Sequence, residues 1–222
     1  HDMSMTMAQE SISDKKKRAD KIVALLKRQY PDAKCSLNFE TVHQLMVATI
    51  LSAQCTDERV NMVTPALFER FASVDAFADA DIEELEKLIY TTGFFHAKAK
   101  AIKESARQLI DTFGGEMPRS LDELVTLQGV GRKTASVILG AGFGLAEGVV
   151  VDTHVGRISK KLGLTRKNHP AKIERDLMSL IDKGDWITFS HLLIFHGRSI
   201  CIARSPRCQE CPIKKLCPGA EL

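Results

Sequence analysis

Aromatic side chains are scarce in this 222-residue chain, with one Trp, two Tyr and ten Phe, or 6% in all. No long apolar run occurs, and charge of one sign is nearly absent in sum, the net being only +3. The missing apolar run excludes a membrane-spanning helix, and no basic, apolar and small-residue series marks a secretory signal, so a cytoplasmic protein is expected. A net charge this small gives no argument for nucleic-acid binding by itself. Sustained strand patterns are missing too: only the run Gly148 to Val151 reads as strand-like. What is present is 44% hydrophobic content arranged at helical spacing over 19–29, 41–53, 57–71, 81–90, 97–112, 170–182 and 185–199. The expected class is all-α, long enough for one large domain or two small ones. His1-Asp2-Met3 reads as a cloning scar, and the polar stretch through Lys17 as frayed.

Charge is unevenly placed. From Val155 to Arg175 seven Lys or Arg face Glu174 alone, a net of +6, whereas from Ala72 to Thr92 six acids face Lys87, a net of −5. Such runs are usually solvated faces, but a basic stretch three residues past Asp152 also suits phosphate neutralisation.

Chemistry concentrates in two short stretches. Ser120-Leu121-Asp122-Glu123 is a capping box that starts a helix from Leu121 to about Leu127. Gly129 and Gly131, flanking Val130, stop it with a tight turn, and Arg132 to Leu139 has the spacing of a second helix, which makes a helix-hairpin-helix. Backbone N–H groups of Gly129, Gly131 and Arg132 then lie at a positive helix terminus, a seat for a DNA phosphate. Lys133 is in the same first turn, where the helix dipole and desolvation against DNA both favour its neutral, nucleophilic amine. In Val151-Asp152-Thr153-His154, Asp152 reads as the N-cap of a helix from Thr153 to Leu162. A carboxylate fixed there is aimed for accepting a proton or facing a developing cation. Taken singly, the G-x-G turn is a common loop, Lys133 a surface lysine, Asp152 a cap and His154 a structural histidine.

At the other end, Cys201, Cys208, Cys211 and Cys217 form C-x6-C-x2-C-x5-C. Without an export signal this spacing argues for a metal or iron–sulfur centre over disulfides, and spacing alone leaves four-thiolate zinc and iron–sulfur both open. Cys35 and Cys55 read as ordinary small side chains. The loops between ligands carry Arg204 and Arg207, and Lys214 and Lys215, candidate phosphate contacts that a rigid centre would fix in place.

These motifs resemble the endonuclease III family, bifunctional DNA glycosylases and abasic-site lyases of the helix-hairpin-helix superfamily. The resemblance spans nearly the whole chain, through Leu51-Ser52-Ala53-Gln54-Cys55-Thr56-Asp57, Leu127 to Ala135, Val151 to His154 and the cysteine spacing. It implies a [4Fe-4S] cluster on the four cysteines, and a helix-hairpin-helix glycosylase fold with a six-helix barrel over 35–145. Residues 1–34 join 146–222 in a cluster domain, and the resemblance sets Lys133 and Asp152 on either side of a DNA groove. It implies a monomer at the bacterial nucleoid, acting on double-stranded DNA with damaged bases or abasic sites and removing oxidised pyrimidines. Lys133 would form a Schiff base and cleave by β-elimination, with Asp152 stabilising the cationic sugar. Gln54 would enter the duplex opposite the flipped base, and Phe94, Phe95 and His96 would supply the wedge loop. Here the chain departs from the pattern, since the wedge is commonly leucine followed by tyrosine. One extra residue falls near Gly144 to Gly148, in a loop. The alternatives are a monofunctional adenine-type glycosylase, against which Lys133 argues, and a non-catalytic DNA-binding module, against which the pairing of Lys133 with Asp152 argues.

Overall fold

A computed structural model describes residues 10–220. Among them are eleven α-helices and no strand. The chain divides into two compact units, one of residues 35–147, the other of residues up to 34 with residues from 148 onward.

The first unit is built from α2 (Val42–Leu51), α3 (Asp57–Arg70), α4 (Val74–Ala78), α5 (Ile82–Ile89), α6 (Phe95–Phe113), α7 (Leu121–Leu124) and α8 (Arg132–Val137). Its helices start where short polar side chains can hold the first backbone donors: Thr41, Thr56, Ser73, Asp81 and Ser120 each accept an N–H three residues on. α6 is the central element, burying Lys98, Ala99, Ile102, Ala106 and Leu109 on one stripe. α4 and α5 pack along it, and α2 packs on α3, α6 and α8. The core is aliphatic around Leu45, Met46, Leu51, Leu67, Leu85 and Ile102, with Phe77 edge-on to His43 and Phe68.

The second unit holds α1 (Ile12–Gln29), α9 (Thr153–Lys161), α10 (Pro170–Leu180) and α11 (Trp186–Ser199) around Ile22, Leu26, Val155, Leu177, Phe189 and Leu193. α1 joins the two ends of the chain. Its Arg18 guanidinium donates to Leu162 O at 2.6 Å and Leu216 O at 3.0 Å, and pairs with Glu10 at 2.7 Å.

Four local expectations are corrected. The polar stretch before Arg18 is helical from Ile12, because Ser11 caps it and Arg18 ties it to distant carbonyls; residues 1–9, with the scar, lie outside the described residues. Gly148 to Val151 is irregular and pairs with no strand among the described residues: Val149 is buried by packing on the core, which mimics a strand pattern. The helix after Ser120 ends at Leu124 and goes on as turns, so it is one turn rather than two. The helix after Gly131 changes at Ile138 into a π-helical turn, Ile138–Gly142. α4 was not anticipated at all, since five residues are too few to show a period.

Candidate functional site

In the unit of residues 35–147, the hairpin is shaped by Gly129. Its φ is +78°, and a Cβ there would lie 2.8 Å from that of Ala101 on α6, so only glycine meets both demands. Gly131 is extended instead (φ −85°, ψ 175°) and is the N-cap of α8. Having no side chain, it leaves the first turn of α8 without a side-chain cap, and the space above its Cα is open for 4 Å. First-turn backbone donors have no intrahelical acceptor, so this end of α8 is electropositive and uncovered. The approach to the turn is held from α6, where Gln108 accepts the Gln128 N–H at 2.7 Å and donates to Thr126 O. Arg132 and Lys133 are exposed. The Lys133 amine has no hydrogen-bond or ion-pair partner among the described residues.

Two loops of the same unit carry its backbone strain. Gln54 (φ 52°) and Phe94 (φ 48°) are the non-glycine residues with positive φ among those described. Left-handed backbone costs an L-residue roughly 1–2 kcal/mol, and such strain clusters where a side chain must be presented. Both side chains are presented: Gln54 is exposed just beyond α2, and Phe94 is 65% exposed at the start of α6. Phe95 is placed differently. It is half-buried, its ring 4.8 Å from Tyr90 and 4.1 Å from His96, so it braces the loop from inside. His96 is exposed and pairs through Nδ1 with Glu86 of α5 at 2.8 Å. Between the two loops lies Lys98, 5% exposed. Its ammonium donates to Leu51 O and Thr92 O, both at 2.8 Å, and burial lowers its pKa.

In the other unit, Asp152 is the N-cap of α9. One carboxylate oxygen accepts the Val155 N–H at 2.8 Å, and the other lies 3.2 Å from His154 Nδ1. The His154 ring lies against α11 only because Gly197 is there: a Cβ on Gly197 would come within 2.7 Å of it. The carboxylate is thus held at both oxygens by groups that are themselves held.

The cysteines gather at one end of this unit. Cys201, Cys208, Cys211 and Cys217 line one cavity with Ile158, Ile200 and Ile213. Burial raises the Cys211 and Cys217 thiols, and the neighbouring cysteines add to it. Four thiolate donors round one cavity fit a four-cysteine iron–sulfur cluster. Two further side chains face the sulfurs: Arg157 Nη1 donates to Cys201 Sγ at 3.7 Å, and His196 Nε2 lies 3.6 Å from Cys211 Sγ. The opposite nitrogen of His196 meets the Tyr30 hydroxyl at 2.9 Å, and burial lowers the pKa of the imidazole to about 4. In the loops, Arg207 donates to Ser199 O and pairs with Glu210, and Lys214 donates to Gln209 O at 2.7 Å, so both brace the loops. Arg204 and Lys215 are exposed and have no such partner among the described residues.

Sequence reasoning missed Lys98, Arg157 and His196. A signal existed for Lys98 and His196, since each falls in register with the apolar stripe of its helix, where a polar side chain needs a buried partner.

Residues 47–183 match the HhH-GPD superfamily of base excision DNA repair proteins, and residues 201–217 match the iron–sulfur binding domain of endonuclease III. Endonuclease III of Synechocystis sp. is 52% identical over 217 residues, covering 98% of this chain and 99% of its own length. A solved non-covalent complex of endonuclease III with DNA is 40% identical, with a TM-score of 0.87 over 92% of this chain and 96% of that one. A trapped covalent intermediate of endonuclease III with DNA has the same identity and coverage and a TM-score of 0.86. The chain belongs to the endonuclease III family.

Proposed function

We propose that this protein excises oxidised pyrimidines from duplex DNA with Lys133 as nucleophile and Asp152 as the assisting carboxylate, then nicks the strand 3′ to the abasic site. As a member of its family it is a bifunctional DNA glycosylase and abasic-site lyase of base excision repair, and its cofactor is a [4Fe-4S] cluster. The carrying observation is the exposed, unpartnered amine of Lys133 in the first turn of an uncapped helix. A solved relative trapped covalently with DNA supports the same reading.

Phosphate oxygens beside the lesion take the backbone donors at the Gly129–Gly131 hairpin, which sets the strand in register with Lys133. Unstacking a base costs a few kcal/mol, and the presented side chains of Gln54 and Phe94 offset it by filling the space left behind. Lys133 Nζ attacks C1′, the electron pair of the C1′–N bond leaves with the base, and the base takes up the proton that Asp152 relays from the attacking amine. Asp152 stabilises positive charge on the sugar as the base departs and takes a proton from the attacking amine. Ring opening, with a proton taken up at O4′, gives the protonated imine, whose positive charge acidifies the C2′ proton. Loss of that proton expels the 3′ phosphate, and water frees Lys133 from the nicked strand. Cys201, Cys208, Cys211 and Cys217 would hold the cluster, which when bound would crosslink their loops and so hold Arg204 and Lys215 where they can meet phosphate.

Borohydride reduction of the protein mixed with thymine-glycol duplex is the test. The parent gives a covalent protein–DNA adduct and Lys133→Gln gives none while still binding the duplex. Strand cleavage by Lys133→Gln at the parent's rate overturns the assignment.

A further inference from the structure

A buried ammonium that takes no part in the chemistry needs a reason, because desolvating it is costly and an apolar side chain would fill the same space without that cost. Lys98 donates to two carbonyls that secondary structure leaves open. Leu51 ends α2, and Thr92 ends the 3-10 turn after α5. Each carbonyl lies just upstream of a strained residue, Leu51 three positions before Gln54 and Thr92 two before Phe94. Carbonyls at helix ends lack intrahelical donors and sit at the negative pole of the dipole, where a cation is favoured.

We propose that Lys98 is a positioning residue that locks the Gln54 and Phe94 loops at one spacing, so that both side chains enter the duplex together. The proposal rests on the reading above that Gln54 and Phe94 fill the gap left by the flipped nucleotide. Each loop alone is strained and exposed and would relax independently. Held through one ammonium, each loop's strained conformation is coupled to the other's. Removing the ammonium leaves two buried carbonyls unpaired at the two loop bases, so both loops loosen at once.

The test uses the cluster-loaded protein and a duplex with a tetrahydrofuran abasic analogue opposite 2-aminopurine, whose emission reports entry of side chains beside it. Abasic-site cleavage is measured in parallel on duplex and on single strands, where no gap has to be filled. The parent changes the emission on binding. Lys98→Met binds the duplex but loses most of that change, and its ratio of duplex to single-strand cleavage falls at least tenfold. Lys98→Arg, which keeps donors for both carbonyls, recovers much of both. A purely structural role for Lys98 would lower the melting temperature and reduce both cleavage rates in proportion; a Lys98→Met protein with the parent's ratio and emission therefore overturns the proposal. If Lys98→Met does not fold, Lys98→Gln, whose shorter stem reaches one carbonyl, makes the same comparison. Gln54→Ala and Phe94→Ala are run beside it: if neither alters the parent's emission, the gap-filling reading itself has failed and the proposal falls with it.

Discussion

Asp152 is the N-cap of α9 and, as proposed above, the assisting carboxylate, and one substitution separates the two duties. Asparagine caps a helix about as well as aspartate, so Asp152→Asn keeps the bond from Val155 N–H but removes the negative charge. The expected outcome is a melting temperature within a few degrees of the parent and a loss in turnover of at least a hundredfold, read by single-turnover excision. A large drop in melting temperature with turnover retained would make the cap its main duty. Among residues outside the chemistry, His43 is sensitive to acid. Burial lowers its pKa from 6.5 to about 4, and its Nε2 has no partner among the described residues. The folded pKa lies below the unfolded one, so the unfolded chain binds more protons between these values. Stability is therefore complete above pH 6.5 and falls as pH drops toward 4, by on the order of 3 kcal/mol from this residue. Denaturant melts of the parent and His43→Leu at pH 7 and pH 4.5 should show the variant losing less on acidification. At this scale the sequence was legible where a residue type implies its own geometry, as Asp before Thr-His implies a cap. It was silent where a residue is strained against type, since nothing in Gln54 or Phe94 announces a left-handed backbone.

Among the elements, the hairpin depends most on a single residue. Gly129→Ala adds the cost of left-handed backbone to a contact with Ala101 that the core must yield to, together about 2–4 kcal/mol. The expected result is a lower melting temperature and weaker binding to a duplex with an abasic analogue, the loss persisting at temperatures where the variant is fully folded. Equal affinity there would remove the hairpin from the phosphate site. Long amphipathic helices such as α6 were readable because their buried stripe repeats over several turns. α4 and the one-turn α7 are too short to show a period. The π-helical turn after Val137 was unreadable because it arises from how the chain leaves α8 rather than from residue type. At Gly148 to Val151 the reading went wrong because a short buried apolar run looks alike in a strand and in a packed loop.

For the whole molecule, each unit has its own core, and the cysteines belong to the one built from both ends of the chain. Withholding iron should therefore raise amide exchange through residues 201–217 and into α9 and α11, which face the cysteine cavity through Ile158 and His196, while α6 keeps its protection. Uniform loss of protection in both cores would show that the cluster supports more than its own unit. Contacts such as Arg18 with Leu162 O and Leu216 O join residues far apart in sequence, which local patterning does not reveal. The cysteine spacing was legible as a metal site, but zinc and iron parted only with the family match.

Peptide mapping of the borohydride-trapped adduct is the most direct test of Lys133 as the proposed nucleophile. The sugar remnant is expected on the peptide containing Lys133, on its Nζ. A remnant on any other amine of an active, cluster-loaded protein would contradict it.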